Sequence, residues 1–84
     1  MAWVYILESQ KNQRFYIGST INLEERFNRH NAGHEKSTKS YIPYRLVFKQ
    51  ECQTINEAKR LEYKIKKWKR RDLVLKVIET GVVY

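Results

Sequence analysis

Four apolar residues spaced by three, four and three positions, Ala58, Leu61, Ile65 and Trp68, follow the tetrad Thr54-Ile55-Asn56-Glu57. No other feature constrains the fold as tightly, because it specifies a helix with a defined start and one buried face. The Thr54 hydroxyl is placed to accept a first-turn N–H while Glu57 reaches back, the capping-box arrangement. The spacing lines the four apolar side chains along one helical stripe. A helix with a single apolar stripe needs a second layer to cover it.

The same segment concentrates charge. From Lys59 to Arg71, Lys59, Arg60, Lys64, Lys66, Lys67, Lys69, Arg70 and Arg71 are basic and Glu62 alone is acidic, a net +7. The whole 84-residue chain carries 17 Lys and Arg against 9 Asp and Glu, or +8, so the other 71 residues contribute only +1. A charge run usually marks a solvated helix face, but an excess this localised points to a polyanion, either nucleic acid or an anionic membrane surface. The membrane reading is the weaker, because Ile65 and Trp68 lie on the stripe the core requires.

The covering layer is legible upstream. Trp3, Tyr5 and Leu7 alternate with Val4 and Ile6 as in a strand, a polar stretch from Glu8 to Arg14 turns the chain, and Phe15 to Ser19 reads as a second strand, making a hairpin. Asn22 with Glu25 three positions on is an Asx version of the capping box, opening a helix with Leu23 and Phe27 on its buried face. Arg26, Arg29 and His30 share another face, and Gly33 supplies the stop. His34 to Pro43 reads as loop, and Tyr44 to Glu51 as a third strand. Asp72 is a candidate cap for a last helix with Leu73, Val74, Val77 and Ile78 inward and Gly81 at its end, although a strand also fits that short apolar run. The expectation is an α+β fold, a small sheet with helices packed on it, forming a single domain over residues 1–84.

Several function classes drop out. No apolar run approaches the ~20 residues of a membrane-spanning helix. The first ten residues show no basic n-region and no small-residue cleavage site, and Cys52 is the lone cysteine, so a reducing, cytoplasmic setting is expected. One Cys and two His are too few for a structural zinc site. Asp72 is the only aspartate, which argues against a carboxylate cluster gripping two metals.

If Tyr5 lies opposite Tyr16 in the hairpin, both phenols project from one sheet face, with Gly18 on that face leaving room for a ligand. Tyrosines on strands are more often core or interface than catalytic, but here Arg26 and His30 follow on the adjoining helix. Val4-Tyr5-Ile6 followed by Tyr16-Ile17-Gly18 resembles the paired signature of the GIY-YIG nuclease superfamily, with Trp3 and Val4 where the name-giving Gly and Ile stand. The similarity continues through N-L-E-E-R-F-N-R-H-N-A-G, where Arg26 falls on the family's helix arginine. It continues again through E-A-K-R-L-E-Y-K-I-K, where Glu62 falls on its metal-binding glutamate. Thr38, Pro43 and the L-V-F strand fit the small single-domain branch related to the GIY-YIG module of the bacterial excision-repair nuclease. The resemblance spans about residues 2 to 72.

That resemblance implies a three-stranded antiparallel sheet flanked by helices, and metal-dependent endonuclease activity on DNA, with DNA repair among the pathways. Tyr5 is then the general base, and a nearby cation must pull its phenol down from the ordinary value near ~10. Tyr16 positions the water or phosphate, Arg26 clamps the scissile phosphate, and His30 bonds the phosphate or assists Tyr5. Glu62 binds Mg²⁺ (or Mn²⁺), which suits a single carboxylate plus waters. Gly18, Ser19, Lys59, Lys66, Lys67, Lys69 and Arg70 are candidate substrate contacts. The ordinary alternatives are a solvent-facing or ion-paired Arg26, a dipole-favoured His30 at a helix end, and a Glu62–Lys66 surface pair. A non-catalytic nucleic-acid-binding protein on the same fold is the competing function, and a homodimer or protein partner supplying specificity is open.

Overall fold

The first strand, β1 (Ala2–Ser9), is the centre of the molecule in the computed structural model, which describes residues 1–36, 38–81 and 83. β1 pairs antiparallel with β2 (Phe15–Thr20) on one side and with β3 (Tyr44–Cys52) on the other, giving the order β2-β1-β3. Being central explains its composition: Ala2, Val4 and Ile6 face one side and Tyr5 and Leu7 the other, and all five are inaccessible to solvent. β2 and β3 are the sheet edges, and a bulge leaves Val47 of β3 without a partner between the Ile6–Phe48 and Leu7–Leu46 pairs.

Helices cover both faces. The α1 helix (Leu23–Asn31) packs Leu23 and Phe27 against Tyr5 and Leu7. On the opposite face, Ala58 and Ile65 of α2 (Ile55–Trp68) and Val74 and Val77 of α3 (Arg71–Thr80) close over Ala2, Val4 and Ile6. Leu61 and Trp68 complete the expected stripe at its half-buried margins. The result is the anticipated α+β architecture, a three-stranded antiparallel sheet with three helices.

The helix ends follow their local chemistry. Asn22 Oδ1 accepts from the Glu25 N–H at 3.1 Å, and Thr54 Oγ1 from the Glu57 N–H at 3.1 Å. The reciprocal half of the Asn22 box is not made: the Asn22 N–H donates to Thr20 Oγ1 instead, at 3.1 Å. α1 closes in a Schellman motif, with Gly33 at φ 78°, its N–H on the His30 carbonyl and the His34 N–H on the Arg29 carbonyl. The last apolar run is a helix, and it starts earlier than an Asp72 cap would set. Arg70 is the cap residue, and Asp72 lies in the first turn, its carboxylate held by the Arg70 guanidinium at 2.6 and 3.1 Å. That ion pair keeps the Asp72 carboxyl below its ordinary range.

The hairpin register also differs from the expected one. Tyr5 stands opposite Gly18, and Tyr16 opposite Leu7. A shift of two residues leaves every side chain on its own face, so Tyr5, Tyr16 and Gly18 still share one side of the sheet.

Candidate active site

Tyr5 is a tyrosine buried in the middle of a sheet, and its ring takes the space that Gly18 vacates. A Cβ at position 18 would fall 2.5 Å from the Tyr5 hydroxyl oxygen and 2.6 Å from the ring carbon bearing it. The missing side chain therefore makes room for the protein's own phenol, and the sequence expectation that Gly18 leaves space for a ligand is corrected. Tyr16 lies diagonally across, its ring centroid 6.4 Å from that of Tyr5, and it is more exposed.

His30 comes down onto this pair from the last turn of α1. It is fully buried, with its ring centroid 4.7 Å from Tyr16, and its Nε2 lies 3.1 Å from the Tyr5 hydroxyl. It therefore faces inward, unlike a residue held at a helix end only by the dipole. Its other nitrogen, Nδ1, is 2.9 Å from Thr38 Oγ1, and the Thr38 hydroxyl donates to the Glu35 carbonyl at 3.3 Å. A hydroxyl has one proton, so when Thr38 donates to Glu35 it accepts from the histidine, and Nδ1 is then the protonated nitrogen. In that tautomer the Nε2 lone pair faces the Tyr5 hydroxyl and can accept its proton. Burial lowers the His30 pKa from its ordinary 6.5, a shift that Glu35 opposes and the nearby Arg26 and Arg29 reinforce, which favours the neutral ring over the imidazolium.

The Tyr5 phenol has the opposite problem. Burial and the neighbouring Tyr16 raise its pKa well above the ordinary value, while Arg26 beside it works the other way. Of the cations expected to bring the phenol toward neutrality, Arg26 alone does not outweigh desolvation. Arg26 is 36% exposed at its side chain, its Nε 4.0 Å from Glu35 Oε1, and Arg29 makes the closer pair with the same carboxylate at 3.3 Å. A guanidinium tied this loosely has donors left for an anion.

Glu62 reaches the same place from the other face of the sheet. β2 is an edge strand, so α2, packed on the far side, projects Glu62 and Lys66 around that edge. Ser19 Oγ donates to Glu62 Oε1 and Lys66 Nζ to Glu62 Oε2, each at 2.5 Å, and the same ammonium lies 6.0 Å from the Tyr16 ring centroid. Glu62 is near enough to Tyr5 to raise its pKa further. Among the described residues no three His, Cys, Asp or Glu side chains cluster to cage a metal. One carboxylate that is 21% exposed and fixed by Ser19 does fit a hydrated Mg²⁺ or Mn²⁺, and Lys66 already sets a positive charge on its outer oxygen.

The remaining candidates separate. Ser19 and Lys66 belong to this cluster through Glu62. Lys59, Lys67 and Lys69 lie exposed on or just beyond α2, with Lys67 Nζ 6.0 Å from the Tyr63 ring centroid, and Arg70 is engaged by Asp72. Thr38 is legible in the sequence only as part of the family resemblance, and Glu35 gives no signal there at all. Their roles depend on a loop folding back under α1. Asn31 pins that geometry, its side-chain amide bonding both the N–H and the carbonyl of Tyr44, at 2.6 and 3.1 Å.

Comparison with known proteins agrees with the fold. The sequence matches the GIY-YIG catalytic domain over residues 1–74. A UPF0213 protein of Staphylococcus haemolyticus is 41% identical over 78 residues, covering 92% of this chain and 93% of the relative. A UPF0213 protein of Clostridium perfringens is 41% identical over 71 residues, covering 83% and 75% of the two chains. The solution NMR structure of a UPF0213 protein from Bacillus halodurans superposes with a TM-score of 0.59 at 34% identity, covering 96% of this chain and 87% of that one. The catalytic domain it matches implies nuclease-type chemistry with DNA as substrate, in a family that generally uses divalent metals. A catalytic-domain match over residues 1–74 and relatives at 41% identity show that the chain belongs to the GIY-YIG family, among its small UPF0213 members.

Proposed function

We propose that this protein is a metal-dependent DNA endonuclease whose single domain hydrolyses a phosphodiester bond at the β2 edge. The observation that carries the reading is the hydrogen-bonded chain from Tyr5 through His30 to Thr38, set beside Arg26 and Glu62. A buried phenol is a poor base by itself, and this chain supplies what it lacks. As the attacking water gives a proton to the Tyr5 oxygen, the phenol's own proton passes to His30 Nε2, and the imidazolium keeps its Nδ1–H on Thr38. The water oxygen bonds to phosphorus and the bond to the leaving strand's oxygen breaks. Arg26 exchanges its loose contact with Glu35 for the phosphate oxygens, where charge grows in the transition state. Tyr16, over the His30 ring and partly open to solvent, orients the water. Glu62 would hold Mg²⁺ or Mn²⁺, and the ion would supply charge neutralisation at the leaving oxygen. Lys66, now paired with Glu62, would serve as a contact to the adjacent phosphate.

Supercoiled plasmid incubated with the purified protein and Mg²⁺ or Mn²⁺ is expected to be nicked or linearised, and EDTA to stop it. Glu62→Ala and Arg26→Ala are expected to retain the fold and lose cleavage. Cleavage that survives EDTA, or both substitutions, contradicts the proposal. A protein that binds DNA in every form and never cuts it would instead fit the non-catalytic alternative.

A further inference from the structure

Around α2, at about 100° per residue, the side chains follow a definite order starting from the edge of the buried stripe. Glu62 comes first, facing Ser19 and the candidate active site; Lys66 and Lys59 follow, then Tyr63, then Lys67 and Arg60. Tyr63 is thus enclosed by cations and stands one short arc from Glu62. It is 68% exposed, and among the described residues it is the one Phe, Trp or Tyr that stands mostly in solvent, the others being buried or partly buried. Trp3, Phe15, Phe27 and Trp68 are each drawn at least partly under neighbouring residues. Lys67 Nζ lies 6.0 Å from the Tyr63 ring centroid, so the ring keeps one face beside a cation and the other free.

A phosphate surface needs cations, but it has no use for an exposed ring. An aromatic ring among lysines is the composition of a single-strand platform, in which the cations track the backbone and the ring stacks on a base. Paired duplex bases have their faces covered by their neighbours, and only an unpaired base offers one to a side chain lying on the outside of a helix. We propose that Tyr63, flanked by Lys59 and Lys67, stacks on an unpaired base of the DNA strand next to the bond being cut, directing the enzyme to DNA with a single-stranded stretch at the cleavage site. The inference rests on the nuclease reading for the word "cut", and on the α2 surface alone for binding.

The test is therefore made in EDTA, where binding is read without cleavage. Fluorescence anisotropy would give the affinity of the wild type, Tyr63→Ala and Tyr63→Phe for a labelled single strand and for the corresponding duplex. Loss of one stacked base predicts that Tyr63→Ala weakens single-strand binding by about tenfold to a hundredfold. Duplex binding should change less than twofold, and Tyr63→Phe, which keeps the ring, should match the wild type. Equal losses on both DNAs, no loss on either, or a Phe variant as weak as Ala overturns the inference. Because catalysis is absent from this experiment, a failure here leaves the plasmid result standing, and an inert plasmid assay leaves this result standing.

Discussion

Gly18 and Tyr5 pack so closely that a single methyl group discriminates between them and an ordinary strand pair. With a Cβ at 2.5 Å from the phenol oxygen, Gly18→Ala must push the Tyr5 ring or the β2 backbone aside in a layer where neither has free space. The expected cost is about 1–3 kcal/mol of stability, read as a lowered melting temperature, with loss of cleavage because the Tyr5–His30 contact is displaced. A melt unchanged from wild type would show that the pocket is looser than described. His30 gives a second test at this scale. Its folded pKa is below the unfolded 6.5, so the unfolded chain takes up its proton first as the pH falls. The stability that neutral His30 contributes is full above pH 6.5, declines through the window below it, and levels off under the folded pKa. Denaturant titrations of the wild type should show that decline between neutral pH and the acid side, and His30→Gln should remove this part of it. A slope identical in the two proteins contradicts the buried neutral histidine. Both residues are visible in the sequence as candidates. Their geometry is not, because nothing in a one-dimensional pattern says that a glycine's space is taken by a tyrosine, or that a histidine grouped with two arginines turns inward.

The elements themselves are largely readable, and the reasons are physical. Thr54 and Asn22 cap their helices as expected because capping is a local interaction within four residues. The seam of α2 follows from periodicity alone, and Ala58 and Ile65 are its most buried members. Register is harder. Pairing Tyr5 with Tyr16 or with Gly18 satisfies the same alternation, and the loop makes the choice. Gln13 adopts a left-handed conformation at φ 61°, and the Ser9 hydroxyl accepts from the N–H groups of Lys11 and Asn12 while donating to the Tyr41 carbonyl at 2.6 Å. That last contact joins segments 32 residues apart, which no local rule supplies. The charge of α2 carries its own prediction. Lys66 is tied to Glu62, so Lys59, Lys67 and Lys69 are the ones to neutralise. Changing all three to Gln should weaken DNA binding and flatten the logarithmic salt dependence by about 0.9 for each phosphate that is no longer neutralised. An unchanged slope in a salt titration would assign these lysines to solvent.

At the scale of the whole molecule, the candidate site exists because β2 is a sheet edge. α1 covers one face and α2 the other, and only at an uncovered edge can Arg26 and His30 from one layer approach Glu62 and Lys66 from the opposite layer. Arg26 and Glu62 are far apart in the chain, and the order of the strands decides whether they meet. Composition and periodicity propose the layers but cannot close them, and before the fold is known only the family resemblance joins the two residues. The same arrangement places the +7 segment alongside the site, so the positive field that would gather phosphates ends where one would be cleaved. The central claim is that the Tyr5 hydroxyl, relayed to His30, activates the water. Tyr5→Phe removes one oxygen atom and leaves the ring in place against Gly18. Measured by single-turnover plasmid cleavage at saturating protein with Mg²⁺, this variant should cut at least about 10²-fold more slowly while binding DNA in EDTA as the wild type does. A Tyr5→Phe protein that cleaves at the wild-type rate would contradict the account.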